Sequence, residues 1–520
     1  MRKHPINLRA QVELLLLGAL LFTITLMATS TTRVYTSDDV AQQNAVASLS
    51  LHAQILIDLP QDTYVLKLPL YAVMAVLPLA PSARLLITAI VLNLLGFILF
   101  WWAAAAFVRM YARPQIANAL SLLWLASLGL GLANMLINPN TRNIEIGLAF
   151  SALALIARWY KGEWRPTGTR GLGILGLFVV LVGLLFYDDP YFVYVLAAPL
   201  ILVFGLKWLA FGRDNRALTI STALLAALVC AKVWHWLFWQ FGIHAGQGGG
   251  NFATLSGVGH NAQLFCVGVL DLFNANIFGQ PVFSVHSLSL ELNLLILAST
   301  LLSPFLLFSR WVRQDIWRVF LVLQPAFIAT AFIAGSMVVD TQSGRYLVML
   351  PFCEALILAV VLAGPIAHRL RLVVGGALVL AAVLNVASTV QVYLNRGDSP
   401  NAENQRVAQV VKEHHLTKGY ASFWNAGINQ YYADNKVLFI QSGCSPKAGV
   451  RPYRWLLNEQ VLSRSASDSF YLLDPTATRC TEPDLERFFG QPRQVIQLGG
   501  QKQLLLYGYD ISTHLRPEGR

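Results

Sequence analysis

The sequence predicts a polytopic α-helical membrane protein of about eleven spans that ends in a small α/β domain. Three observations predict it. The 520 residues are 56% hydrophobic and only 12% charged, a balance outside the range of soluble globular chains. Eleven apolar stretches are each long enough to cross a bilayer, at roughly 17–25 residues. From about Arg396 the leucine-rich runs stop and short strand-like segments take over.

The eleven stretches start near Val12, Arg84, Ile116, Ile144, Gly171, Tyr191, Ala217, Ser287, Val319, Tyr346 and Leu372. Met1-Arg2-Lys3 precedes the apolar run Leu14–Ala28, and no small-residue cleavage site follows it cleanly, so a retained anchor is expected. The run between Pro69 and Pro81 is too short to span, at about a dozen residues, and is expected to lie on the outer surface as an interfacial helix.

The formal charge of +11 marks topology rather than nucleic-acid binding, because of where the basic residues fall. Arg2, Lys3, Arg9, Arg109, Arg113, Arg158, Lys161, Lys207, Arg213, Arg310, Arg313, Arg369 and Arg371 all fall in one set of loops, which is therefore cytoplasmic. The opposite loops are acidic, with Asp38, Asp39, Asp58, Asp62, Glu145, Asp188, Asp189, Asp271 and Asp340. The chemistry is expected on that outer face, and an odd span count puts the C-terminus there too.

The chain divides into a transmembrane module, residues 1–395, and an external α/β domain, residues 396–520. Arg396–Pro400 reads as a linker. Asn401–His415 has helical spacing, and Tyr420–Trp424, Val437–Gln441, Phe470–Leu473, Gln494–Leu498 and Gln503–Tyr509 read as strands, with Gly499-Gly500 as a hairpin turn. Cys444 and Cys480 both fall in this external part, beside turn residues, and are expected to form a disulfide; two separate thiols are the alternative. Gln240–His286 reads as a long external connection, and its glycine-rich segment Gly246–Asn251 as a lid or plain loop rather than a phosphate cradle, since no lysine follows. No internal repeat is visible, which weakens a transporter reading.

Four short external elements carry the groups that could do chemistry: Asp38-Asp39, Asn138–Glu145, Tyr187–Tyr191 and Asp340–Tyr346. In a single bundle they would converge on one cavity. Carboxylates at a membrane face offer a general base or a cation site, and Arg142 and Arg345 offer planar forks for a phosphate. Each has a plainer reading. Arg142 and Glu145, three apart, could pair with one another; Asp188-Asp189 before Pro190 could cap a helix; Asp38-Asp39 could cap the helix that follows; Arg345 could snorkel to the interface.

In this order the elements resemble the integral-membrane glycosyltransferases of the GT-C superfamily, the group of protein O-mannosyltransferases and lipid A aminoarabinose transferases. Asp38-Asp39 stands where that family has an Asp-Glu pair. Asp58-Leu59-Pro60 through Lys67-Leu68-Pro69-Leu70-Tyr71 is similar to the second part of its first external loop, Arg345-Tyr346-Leu347 followed by Pro351 to its Arg-Tyr span entry, and Gly419–Ala426 to a motif of members with a C-terminal domain. The resemblance implies a GT-C-like fold with amphipathic helices in the first external loop, set in a bacterial inner membrane with the N-terminus cytoplasmic. It also implies transfer of a sugar from a polyprenyl-phosphate donor to a periplasmic acceptor, whether glycan, lipid or protein. Asp38 or Asp39 would be the catalytic base, Asp38 the first choice, Arg345 and Arg142 would hold the donor phosphate, and Asp188, Asp189 and Glu145, or Asp39 if it is not the base, would orient the acceptor or hold a divalent cation, magnesium or manganese. The alternatives are a flippase or transporter of lipid-linked sugars, or a polymerase of them.

Overall fold

The structure is a computed structural model, and it describes residues 8–52, 57–59, 62–110, 115–163, 168–210, 214–245, 251–311, 315–363, 368–453, 464–499 and 501–515. Helix α1 (Leu8–Ser30) leads through a 3-10 turn, Ser37–Val40, into α2 (Ala41–His52). A short strand β1 (Ile57–Leu59) and a second 3-10 turn, Val65–Lys67, precede α3 (Leu68–Val76), the run expected to be an interfacial helix. The bundle continues with α4 (Pro81–Val108), α5 (Gln115–Ser127), α6 (Leu130–Leu136), α7 (Ile144–Tyr160), α8 (Gly168–Asp188), α9 (Ala198–Ala210) and α10 (Asn215–Gln240). After strand β2 (Ile243–Ala245) come α11 (Leu255–Leu272), α12 (Val285–Trp311), α13 (Ile316–Ala334), α14 (Met349–Ala363) and α15 (His368–Leu394).

Every stretch expected to span is helical. Among the described residues six helices are long and apolar enough to cross a membrane, and two bent pairs pass the same test together. The chain is an integral membrane protein. The stretch from Ile116 does not run straight: α5 and α6 meet at 76°, with Gly129 between them in the left-handed region at φ +75°, where an L side chain would be strained. The entry near Tyr346 is a 3-10 turn, Thr341–Leu347, bent 43° from α14. Helix α14 is buried along its whole length and forms the centre of the bundle. The long connection 240–286 is not irregular, since it holds β2, which pairs in parallel with β1, and the 18-residue α11. Of its glycine-rich segment, residues 246–250 lie outside the described residues.

Helix α4 crosses α7 almost backbone to backbone. A Cβ on Gly147 would sit 2.4 Å from the carbonyl oxygen of Gly96, and one on Gly96 would sit 2.3 Å from that of Asn143. Small residues permit such approach where lipid supplies no hydrophobic force between helices. The crossing fixes the start of α7, and with it Asn143 and Glu145.

The carboxyl-terminal part opens with α16 (Ala402–Glu413), then β3 (Lys418–Ala421), α17 (Phe423–Tyr432), β4 (Leu438–Ser445), β5 (Gly449–Pro452), β6 (Ser469–Leu473), α18 (Glu482–Phe489), β7 (Gln494–Gly499) and β8 (Lys502–Tyr507). The sheet order is β5-β4-β3-β6-β8-β7; β3 pairs in parallel with β4 and β6, and the remaining pairs are antiparallel. The first strand stops sooner than its sequence suggests: Ser422 caps α17, so Phe423 and Trp424 are helical. Gly500 of the expected hairpin turn lies outside the described residues. Cys444 and Cys480 are disulfide-bonded, with Cα atoms 5.8 Å apart. The sheet core packs on the loop after α1, since Tyr35, Val40 and Leu85 share one apolar cluster with Val407, Ile428, Tyr431 and Phe439.

Candidate active site

The Ser37–Val40 turn gives the two acidic neighbours different surroundings. Thr36 and Asp39 form a capping box, in which Asp39 Oδ2 accepts from Thr36 N (2.7 Å) and Thr36 Oγ1 (3.0 Å). Asp39 Oδ1 takes an ion pair from Arg33 at 2.7 Å, and Arg33 also donates to the backbone and side chain of Asn134. Asp39 is fully buried with both oxygens used. Asp38 is the open member. Its side chain is 24% exposed, and Oδ2 lies 3.5 Å from Nη1 of Arg345, itself 40% exposed. Asn140 Nδ2 donates to the Asp38 carbonyl at 2.8 Å, and Tyr71 OH lies 2.8 Å from Asn140 Oδ1. Burial pushes the Asp38 carboxyl up, Arg345 opposes the shift, and Asp39 adds to it.

The two arginines also separate. Arg142 is 2% exposed, and its fork is filled by Asp189, with Nε 2.6 Å from Oδ2 and Nη2 3.1 Å from Oδ1. Its guanidinium carbon lies over two aromatic rings, Tyr191 at 4.1 Å and Tyr346 at 5.3 Å. Asp62 approaches it at 3.5 Å. Asp189 Oδ1 also accepts from Tyr191 N (3.0 Å), so the capping reading of this carboxylate and an ion-pair role coexist. Burial pushes the Asp189 carboxyl up and Arg142 opposes the shift. Arg142 Nη1 reaches the carbonyl of Arg345 at 3.5 Å, joining the second, third and fourth elements. Arg345 keeps the accessible fork.

Arg142 does not pair with Glu145. Glu145 instead meets Lys67 at 3.2 Å, both side chains fully buried. Lys67 Nζ also donates to the Pro139 carbonyl (3.1 Å), to Asn143 Oδ1 (3.2 Å) and to the Thr141 carbonyl, and lies 4.0 Å over the Tyr64 ring. Burial pushes the Lys67 ammonium down and Glu145 pulls it back. Tyr64 holds a left-handed backbone, φ +49°, fixed by its N–H to the Asp188 carbonyl. Asp188 Oδ1 accepts from Leu66 N (2.9 Å), whereas Oδ2 is buried without a hydrogen-bond partner. Asp340 caps its own turn through Gln342 N.

Asp38, Arg345, Arg142, Asp189, Lys67 and Glu145 thus come together. Lys67 and Asn140 lie in stretches singled out from sequence but without a role assigned to them, and Arg33 and Asn134 are not singled out there as site residues. A lysine between Leu66 and Leu68 in an apolar run was the available signal for Lys67. A divalent cation is not what these residues fit. Asp38, Asp39, Asp189 and Glu145 each face a cationic side chain, and among the described residues no three His, Cys, Asp or Glu side chains gather closely enough to share an ion.

The architecture is a polytopic membrane bundle with an acidic turn after the first helix and a carboxyl-terminal sheet packed upon it. No protein-family model matches the chain, and no curated protein does. Among solved structures it is similar to ArnT from Cupriavidus metallidurans in the apo state, with TM-score 0.59 and 11% identity over 98% of this chain and 100% of that one. At that identity the likeness establishes the fold.

Proposed function

We propose that the protein is a glycosyltransferase that moves a sugar from a polyprenyl-phosphate carrier to an acceptor hydroxyl. The observation that carries the reading is the contact between Asp38 and Arg345, the open carboxylate and the open guanidinium of two sets whose other members are buried and saturated. A phosphate entering against Arg345 replaces Asp38 on the fork and leaves that carboxylate free to accept a proton. The acceptor hydroxyl attacks the anomeric carbon, Asp38 takes its proton, the bond from sugar to phosphate oxygen breaks, and the carrier phosphate leaves on Arg345. Neutralisation by arginine stands where other transferases use a metal, so transfer should survive excess chelator. The basic loops support a cytoplasmic N-terminus in a bacterial inner membrane, with the site and the C-terminus periplasmic.

Asp38→Asn keeps the shape and removes the proton acceptor. With a polyprenyl-phosphate sugar as donor, release of polyprenyl phosphate should fall by roughly 10²–10⁴, with unchanged thermal unfolding. Normal release from this variant would overturn the reading, and loss of lipid-linked sugar translocation without loss of transfer would favour a flippase.

A further inference from the structure

A cavity of about 420 Å³ lies between α1, α6, the end of α11 and α12, and none of the residues assigned above to proton removal or phosphate binding lines it. Its polar lining includes Asn134, Asp271, Asn274, Asn276, Gln280 and His286, with Thr29 and Thr32 from α1 and the turn after it. Leu130, Met135 and Leu290 supply apolar surface. Among the described lining residues there is no lysine or arginine. Side-chain amides both donate and accept, as sugar hydroxyls do, whereas a phosphate needs cations or donors alone. The lining therefore suits an uncharged polyol and not the carrier phosphate.

The cavity is built rather than incidental. Asn274 Nδ2 donates to Asn385 Oδ1 (3.0 Å), and Asn293 Nδ2 donates to that same oxygen (2.8 Å) and to the Asn274 carbonyl (3.0 Å). Asn293 and Asn385 are fully buried, so a satisfied amide network fixes the floor. His286 Nδ1 is held by Ser388 Oγ at 2.8 Å. A Cβ on Gly131 would fall 1.7 Å from the Asp271 carbonyl oxygen, so only glycine lets α6 close this wall. At the rim Phe278 is apolar and 75% exposed, and Phe283, five positions further along the chain, is 93% exposed. The cavity also touches the acidic turn, because Asn134 accepts from Arg33, which holds Asp39.

We propose that this cavity seats the acceptor: an uncharged, hydroxyl-bearing sugar head whose lipid tail leaves over Phe278. The assignment of the occupant as acceptor rests on the transferase reading. The site itself is tested by binding alone, with full-length protein in nanodiscs and a diazirine-bearing alkyl glucoside as the photoactivated probe. Labelled peptides should map to Leu130–Met135 and Asp271–Gln280. Excess unlabelled alkyl glucoside should reduce labelling at least tenfold, and excess alkyl phosphate should not. Gln280→Trp, which fills the cavity from its exposed rim, should reduce labelling at least tenfold, with Gln280→Asn close to wild type. Labelling elsewhere, or competition by alkyl phosphate, overturns the site. Equal labelling by a diazirine glucose without a chain overturns the lipid tether. A protein that transfers sugar but labels elsewhere keeps the transferase reading and loses the cavity; labelling in the cavity without any transfer does the reverse.

Discussion

Asp38 and Asp39 should respond to substitution in different ways. Asp39→Asn keeps an acceptor for Thr36 but strips Arg33 of its counter-charge. It should cost about 1.5–3 kcal/mol, the worth of a charged hydrogen bond, read as a lower unfolding temperature. Arg345 acts on the open carboxylate in two ways. Arg345→Ala should weaken donor binding far more than Arg345→Lys, since lysine keeps the charge and loses the fork; equal donor affinity in Arg345→Ala and wild type would reduce this residue to an interface anchor. The pH profile gives an independent check. As the proposed base Asp38 would work only when ionised, and its carboxyl titrates above the ordinary range near 3.9. Activity should therefore fall as pH drops through that raised value. Arg345 pulls the value down in the free protein, so Arg345→Gln should move the acid limb of kcat/KM to higher pH, and Arg345→Lys should leave it nearly in place. At this scale the charged residues were plain in the sequence, but their partners were not. Arg142 and Asp189 are 47 positions apart, and no spacing rule connects them, whereas the visible i,i+3 pair of Arg142 and Glu145 is not formed.

The elements were more legible than the contacts between them. Apolar runs declare helices because burial in lipid leaves the backbone no other partner. Helix α11 escaped notice because Gly257, Gly259, His260 and Asn261 dilute its apolar face; Asn261 in fact reaches the carbonyls of Ile333 and Gly335. The bend between α5 and α6 was hidden by the continuity of the apolar run across Gly129. The crossing of α4 and α7 is where an element-scale change should reach the site. Gly147→Ala forces apart two helices that touch through backbone, at about 1–3 kcal/mol for overpacking. Because Glu145 and Asn143 ride on the start of α7, donor binding should weaken along with the unfolding temperature. Unchanged kinetics in a destabilised variant would separate the crossing from the site.

The whole molecule depends on a junction that composition alone does not reveal. The shift near Arg396 marked a change of architecture, but not that the second part grips the first. Ser37 Oγ accepts from Gly427 N (2.9 Å) and Ile428 N (3.3 Å). Asn401 accepts from Tyr35 N and donates to the Arg33 carbonyl, both at 2.9 Å. Asn44 Nδ2 donates to the Gly427 carbonyl at 2.8 Å, and Arg84 pairs with Asp434. Asn401→Ala should leave one buried and one part-buried backbone group unpaired, at about 1–3 kcal/mol, and should lower turnover although Asn401 touches no substrate; full turnover in a folded variant would show that the turn is held without it.

That junction also sets a clock. The acidic turn leaves the ribosome early, while its partners in the carboxyl-terminal part are 366 to 391 positions further along the chain. Contacts of such separation form last. Throughout most of its synthesis the chain therefore carries its proposed base on a turn that has its local and bundle contacts but not those of the carboxyl-terminal part, inserted in the bilayer yet idle. A chain arrested before Asn401 should enter the membrane and leave carrier lipids untouched, so that completion of translation, rather than insertion, is the moment at which the protein becomes active.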